Sequence, residues 1–304
     1  MSRVKVFLME LRPPFFTATI VPILLGTAVA FNLNYTINWF YFALTLIGAM
    51  FLHGGANVIN DYFDHKSSND EINKEFVRPF TGGSRTIQNK LMTPREVLIE
   101  AIICLALGSV IGIYLTYKIG WVILAIGAFG IFSAVFYVDP KLKLVGRGVG
   151  ELFIALNFGT LMTYGAFFVQ AQEHSLIPVI ASLPVAILIA AVLYINEFQD
   201  AKADAAVGKK HLVVRLGKKR AVNGYILLMV FTYLSVVIGV VTDFIPPISL
   251  IALLTMPIAL KAIKVAQQYY EDNEKLVPAN DSTIKTHLLT GLLLIISVVV
   301  DSFL

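Results

Sequence analysis

Two short stretches gather acids and carboxamides at spacings that suit cation chemistry. In NVINDYFDHKSSND, residues 57–70, Asn60 and Asp64 stand at i and i+4, and Asp70 follows beyond the expected helix end, in a loop able to close over a site. In YINEFQDAKAD, residues 194–204, Asn196, Asp200 and Asp204 stand at i, i+4 and i+8. On a helix each set shares one face, stacked a turn apart, whereas Asp61 points about 100° away from Asn60. Stacked carboxylates repel one another and are tolerable near a membrane when cations sit between them. Oxygen donors from Asp and Asn favour a hard divalent ion, Mg²⁺ ahead of Ca²⁺. Mg²⁺ takes few carboxylates and completes its shell with water and phosphate oxygens, so two facing clusters would suit a diphosphate carried on Mg²⁺. Helix-end acids pairing with nearby lysines would explain one cluster; two copies of N-x-x-x-D at matched positions favour function.

The elements that must position these clusters are membrane helices. Of 304 residues, 57% are hydrophobic and 14% charged, well below the ~25% charged residues of soluble domains. Nine uncharged segments approach the ~20 residues a spanning helix needs: 14–31, 37–60, 101–117, 119–138, 152–172, 175–196, 221–242, 244–260 and 286–300. The last is the shortest, trimmed by Lys285 and Asp301. Period-two alternation is missing, which excludes a barrel. The opening MSRVKVFLMELRPP interleaves apolar and charged residues as a short interfacial helix does. A single Cys104, mid-span, excludes an internal disulfide and a cysteine metal cage.

Of the 24 Lys and Arg, 23 fall at the N-terminus or in the loops after even-numbered segments; only Lys118 lies in the others. The positive-inside rule therefore predicts a cytoplasmic N-terminus and nine spans. The net charge of +4 reflects topology, not nucleic-acid binding. Both acid clusters fall on the cytoplasmic side, four helices apart. That recurrence predicts one all-α membrane domain over 1–304, with two similar four-helix halves and a final helix around a central cavity.

Basic residues suited to a diphosphate flank the clusters. The loop YVDPKLKLVGRG offers Lys141, Lys143 and Arg147; KEFVRPFTGGSR sets Arg78 and Arg85 about a Gly-Gly turn; VGKKHLVVRLG adds Lys209 and Lys210. Lys141 and Lys143 lead the group because their loop is the shortest on that side. Each alone also reads as a topology determinant or a lipid contact.

Along LRPPFFTATIVPILLG, NVINDYFDHKSSND, YVDPKLKLVGRGVGE and NEFQDAKADAAVGKKHLVVRLG the chain resembles the UbiA superfamily of intramembrane aromatic prenyltransferases. The resemblance implies nine helices, two cytoplasmic Asp-rich motifs and Mg²⁺-dependent transfer of an isoprenoid from its diphosphate. The common first motif, N-x-x-x-D-x-x-x-D, predicts an acid at position 68, where this chain has Ser68; the acid comes at Asp70. That longer form, with NDYFD and TGGS, looks like the menaquinone branch, which implies a polyprenyl diphosphate donor and an aromatic acceptor such as 1,4-dihydroxy-2-naphthoate or 4-hydroxybenzoate. Archaeal members that prenylate a geranylgeranylglyceryl phosphate lipid keep the same metal motifs. The implied mechanism passes through an allylic carbocation, with Lys143 neutralising the leaving pyrophosphate and Tyr137 offering its ring face; an interfacial anchor explains Tyr137 equally well. His53 reads as a packed residue. A cation-coupled transporter is the contrasting class, disfavoured because its acids belong mid-membrane and lysines would repel its substrate.

Overall fold

A computed structural model describes residues 2–139 and 142–304, and these hold helices and no strand. Among the described residues, eight helices are long and apolar enough to cross a membrane. With one shorter apolar helix they are numbered here α1 Pro13–Asn32, α2 Trp39–Lys66, α3 Pro94–Ile119, α4 Trp121–Phe136, α5 Gly150–Ala171, α6 Ile177–Ala206, α7 Lys218–Val241, α8 Pro247–Tyr269 and α9 Val277–Asp301. The nine uncharged segments each fall on one of them. The exception to full length is α4, whose sixteen residues rise only about 24 Å against the ~30 Å of a bilayer core.

Local chemistry sets the helix starts. The Asn38 side chain accepts from Tyr41 N (3.0 Å) ahead of α2. Thr93 and Glu96 form a reciprocal capping box at α3, with Pro94 in its first turn, where a missing N–H costs nothing. The amphipathic helix Arg3–Glu10 precedes α1, capped by Ser2. The last helix starts nine residues earlier than hydropathy suggests, because its first turns carry Asn280, Ser282 and Thr283, all buried inside the bundle.

The second acid cluster sits on the most enclosed span, α6. It packs on α5, α7 and α9, while α2 packs along α3 and α1 along α5. Polar pairs join the spans where lipid offers no partner: Tyr225 Oη with Thr283 Oγ1 (2.6 Å), Tyr233 Oη with Thr255 Oγ1 (2.9 Å) and Ser249 Oγ with Ser297 Oγ (3.0 Å). On the outside, Ile102, Val110, Ile113, Phe231 and Val241 stand exposed, as lipid-facing residues do. Within α5 the turn Leu156–Leu161 is π-helical. Such a turn frequently marks a functional site, and its Asn157, Phe158 and Leu161 line the central cavity.

Helices α1 and α5 touch through glycine. A Cβ on Gly26 would lie 2.1 Å from the Thr163 carbonyl oxygen and 3.0 Å from Ala166 Cβ. Gly26→Ala should therefore force the pair apart and cost about 1–3 kcal/mol, read as a lower Tm in detergent. Gly112→Ala, with nothing within 4 Å of the added carbon, should leave Tm unchanged.

Candidate active site

One cavity of about 420 Å³ occupies the centre of the bundle, and Asn60, Asp64, Asp70, Asn196, Asp200 and Asp204 all line it. The two clusters, far apart in sequence, are knitted together across it. Asn69 Nδ2 donates to Asp204 Oδ1 (2.8 Å) and Asn73 Nδ2 donates to Asp200 Oδ1 (2.7 Å). The Lys209 ammonium pairs with Asp64 and stands 3.9 Å from Asp204 Oδ1. Asn196 is oriented by Asn280, whose Nδ2 donates to Asn196 Oδ1 (2.7 Å). Away from these groups the wall turns apolar, with Leu52, Ile111, Leu115, Ile126, Phe158 and Met162.

Asp70 lies in the short helix Asn69–Ile72, which follows Ser68 in a left-handed conformation (φ 60°). Arg85 holds this segment: its guanidinium donates to the carbonyls of Asp70 and Asn73 (2.7 Å to the latter), lies 3.6 Å from Asp70 Oδ1 and covers the Phe76 ring at 3.9 Å. Arg85 does not itself line the cavity. Asp61, on the other face of α2, pairs with Arg12 and accepts from Ser84 N (2.9 Å). A Cβ on Gly83 would lie 2.7 Å from Asp61 Oδ1, so the Gly82–Gly83 turn brings bare backbone to the cavity wall.

The loop after α4 departs from expectation. Lys143 and Arg147 do not line the cavity. The Lys143 ammonium donates to Val207 O (2.7 Å), tying its loop to the chain beyond Asp204, and the exposed Arg147 donates from Nε to Leu142 O (2.6 Å). Lys141 falls outside the described residues. Among the described lysines, the one beside the acids is Lys209, 5% exposed, brought there by the turn that ends α6. Tyr137 does line the cavity, and its hydroxyl has no hydrogen-bond partner. His53 is packed between Phe16 and Phe158 and shares a 2.8 Å hydrogen bond with Thr19 Oγ1.

Electrostatics outside the spans follow from this burial. Burial opposes the charge on Lys209, but Asp64 and Asp204 outweigh it and hold its pKa above the ordinary value. Burial, reinforced by Asp64 and Asp61, pushes Asp70 up to about 8. Glu10, at the end of the first helix, is pushed to about 7 by burial and by Asp61, against hydrogen bonds from Ser84 and Thr86. Five carboxylates (Asp61, Asp64, Asp70, Asp200 and Asp204) against three cations (Arg12, Arg85 and Lys209) leave a surplus of negative charge. The Asn69 carboxamide oxygen, buried beside them, has no hydrogen-bond partner. This oxygen-rich, under-neutralised set fits Mg²⁺.

Sequence reasoning missed Arg12, Asn69, Asn73, Glu197 and His211. Asn69 and Asn73 repeat the i, i+4 spacing of the clusters in a stretch without helical hydropathy, which was the available signal. His211, completely buried, touches both Glu197 and Asp204 (3.2 and 3.3 Å); nothing in its sequence neighbourhood predicts that.

Comparison with known proteins gives one consistent result. The model of the UbiA prenyltransferase family matches residues 19–284. The chain is 28% identical over 292 residues to the 2-carboxy-1,4-naphthoquinone phytyltransferase of Synechocystis sp., covering 95% of this chain and 92% of that protein. It is 27% identical over 292 residues to the 1,4-dihydroxy-2-naphthoate octaprenyltransferase of Bacillus subtilis, covering 96% and 91%. A UbiA homolog from Archaeoglobus fulgidus, solved bound to DMAPP and Mg²⁺, shares the fold at a TM-score of 0.62 and 20% identity over 95% of this chain and 98% of that one.

Two predictions come from this charge arrangement. Lys209→Met keeps the apolar stem but leaves Asp64 and Asp204 without their ammonium; in EDTA it should lose about 3–5 kcal/mol of stability, with Mg²⁺ restoring much of the lost Tm. For Glu10 the folded protein keeps its proton to about pH 7, whereas the unfolded chain releases it near 4.5. The folded state then binds more protons across that window, so stability falls as pH rises through it. Glu10→Gln should flatten the Tm-against-pH curve there and leave it unchanged below.

Proposed function

This chain belongs to the UbiA prenyltransferase family, and on that premise we propose that it transfers a prenyl group from a polyprenyl diphosphate to a naphthoate-type aromatic acid, with Mg²⁺, at a site facing the cytoplasm. The observation that carries the reading is the convergence of the two acid clusters on one chamber that is polar at Asp64, Asp200 and Asp204 and apolar at Leu52, Ile126 and Phe158. The names of the naphthoate-acting relatives support the acceptor class. The distribution of 23 of 24 basic residues supports a cytoplasmic N-terminus, with α4 as a ninth, thinner crossing.

In this reading Asp64, Asp70, Asp200 and Asp204 hold Mg²⁺, with Asn60 and Asn196 as neutral oxygens, and the bound ions supply the positive charge that turns a diphosphate into a leaving group. Lys209 and Arg12 add fixed cations to the same pocket wall, for the phosphate oxygens not taken by metal. The backbone at Gly82 and Gly83 lets the diphosphate approach closely. As the allylic C–O bond breaks, electrons leave with the pyrophosphate and an allylic cation remains. Tyr137, one residue past α4, presents an aromatic ring to the chamber, where ring-face electron density stabilises such a cation. The apolar wall houses the isoprenoid tail and keeps water from the cation until the acceptor carbon attacks; the new C–C bond is balanced at that carbon by loss of a proton, or of the carboxyl group as CO₂, which restores the aromatic ring.

The test pairs one labelled donor, geranylgeranyl diphosphate, with three acceptors: 1,4-dihydroxy-2-naphthoate, 4-hydroxybenzoate and geranylgeranylglyceryl phosphate. A prenylated naphthoate is the expected product, lost by at least about 100-fold in Asp64→Asn and Asp200→Asn. Product from the glyceryl phosphate alone would move the reading to a lipid acceptor. Unchanged turnover in both variants would reject the site.

A further inference from the structure

Beside the oxygen-only cluster lies a second set of ligating groups with different chemistry. Glu151, in the first turn of α5, Glu197, one turn before Asp200 on α6, and His211 are each at least 95% buried. One potential ligand atom from each lies within 4.8 Å of the others. Glu197 also lines the central cavity, so the set has a route to solvent.

Ordinary hydrogen bonding leaves this set unfinished. Glu151 Oε1 accepts from Leu212 N (3.0 Å), but its Oε2 has no hydrogen-bond partner among the described residues. His211 Nδ1 lies 3.2 Å from Glu197 Oε2 and Nε2 lies 3.3 Å from Asp204 Oδ2, yet neither contact has the geometry of a hydrogen bond, and Glu197 Oε1 is unpartnered too. Two ligands on one metal ion at about 2.1 Å, separated by 90–110°, stand about 3.0–3.4 Å apart, off each other's axes. The Nδ1–Oε2 contact has that character. Glu151 and Glu197, with Asp204 shared between Lys209 and the ring, also face a single imidazole, a deficit of positive charge in a buried place. The Tyr137 hydroxyl, likewise unpartnered, lies next to Gly150, where an added Cβ would approach it to 3.2 Å.

We propose that Glu151, Glu197 and His211 form a second metal site, selective for a transition ion such as Zn²⁺ or Mn²⁺, distinct from the Mg²⁺ cluster and linked to it through Asp204. Mixed imidazole and carboxylate ligands suit Zn²⁺, Mn²⁺ or Co²⁺, whereas Mg²⁺ prefers oxygen alone. With Nδ1 on the ion, Nε2–H faces the Asp204 carboxylate, the usual partner of a metal-bound histidine. The ion would thereby fix one oxygen of Asp204, and Glu151 and Leu212 would tie α5 to the chain beyond α6. Its role is to position a ligand of the neighbouring cluster, and it takes no part in the reacting bonds.

The experiment uses the full-length protein in nanodiscs, stripped with EDTA and titrated with Co²⁺ in millimolar Mg²⁺. We expect one Co²⁺ per chain with visible d–d bands, resistant to displacement by Mg²⁺. His211→Asn and Glu197→Gln should weaken it at least about 100-fold. Asp64→Asn and Asp200→Asn, which test the proposed activity, should retain it within about threefold. Zn²⁺ content by mass spectrometry of the metal-loaded protein should follow the same pattern. Absence of Mg²⁺-resistant Co²⁺ in the wild type overturns the proposal, as does retention in His211→Asn. Loss in Asp64→Asn and Asp200→Asn equal to that in Glu197→Gln does so as well, since the ion would then sit in the Mg²⁺ cluster. Thermal unfolding of each variant separates lost binding from lost fold.

Discussion

The Lys209 ammonium between Asp64 and Asp204 is the contact on which the arrangement of the chamber depends. Carboxylates drawn from two helices into a space walled by leucine and phenylalanine repel one another strongly in a low dielectric. A lysine three residues past the end of α6 supplies one compensating charge from the protein itself. Arg12 does the same for Asp61, and Arg85 for Asp70. The compensation is incomplete, and in the proposed reading that incompleteness is what suits the pocket to added cations. Were every acid matched by a protein cation, the site would be a set of buried ion pairs with no demand for metal.

Holding those charges in place falls to helices that are themselves bound by contacts available within lipid. No hydrophobic driving force separates span from lipid, so close backbone approach and hydrogen-bonded hydroxyls carry the association. Glycines at the α1–α5 and α5–α6 crossings supply the first: a Cβ on Gly159 would lie 2.3 Å from Ala186 Cβ. Serines and threonines of α9 supply the second. The π-helical turn of α5 sits where these demands meet the cavity, placing Asn157 and Phe158 in its wall.

Much of this was legible in the amino-acid sequence, and the reasons it was legible are specific. Hydropathy located the eight long apolar helices and the shorter α4 because outward-facing residues such as Ile102 and Phe231 have only one solvent to satisfy. The i, i+4 carboxamide–carboxylate pairs were visible because helical periodicity fixes the direction of Asn60, Asp64, Asn196, Asp200 and Asp204 without knowledge of the fold. What was not legible was which of the loop cations reaches the acids. Lys143 and Lys209 are equivalent in type and in side of the membrane, and only the path of the backbone makes one bond Val207 O while the other reaches the acids. The start of α9 was missed because polarity buried between helices looks, in one dimension, like polarity in water.

The position of His211 bears on why the second cluster is the more tightly organised. Burial opposes a charge on its ring, but Asp204 and Glu197 hold its pKa up to about 10. Asp204 therefore receives positive charge on both sides, from Lys209 toward Oδ1 and from His211 toward Oδ2, and a donor from Asn69 besides. Asp70 has only the looser 3.6 Å contact with Arg85, and it rides on a four-residue helix outside the spans. One wall of the chamber is thus fixed on the best-packed helix of the bundle, while the facing wall includes a short segment held by Arg85 at its carbonyls and by side-chain hydrogen bonds from Asn69 and Asn73 to that first wall. Such a segment opens at lower free energy than a buried span. In the proposed reading, a diphosphate entering with its cations would meet one preorganised face and one that can adjust, with the selection of geometry on α6 and the admission of substrate on the loop that carries Asp70.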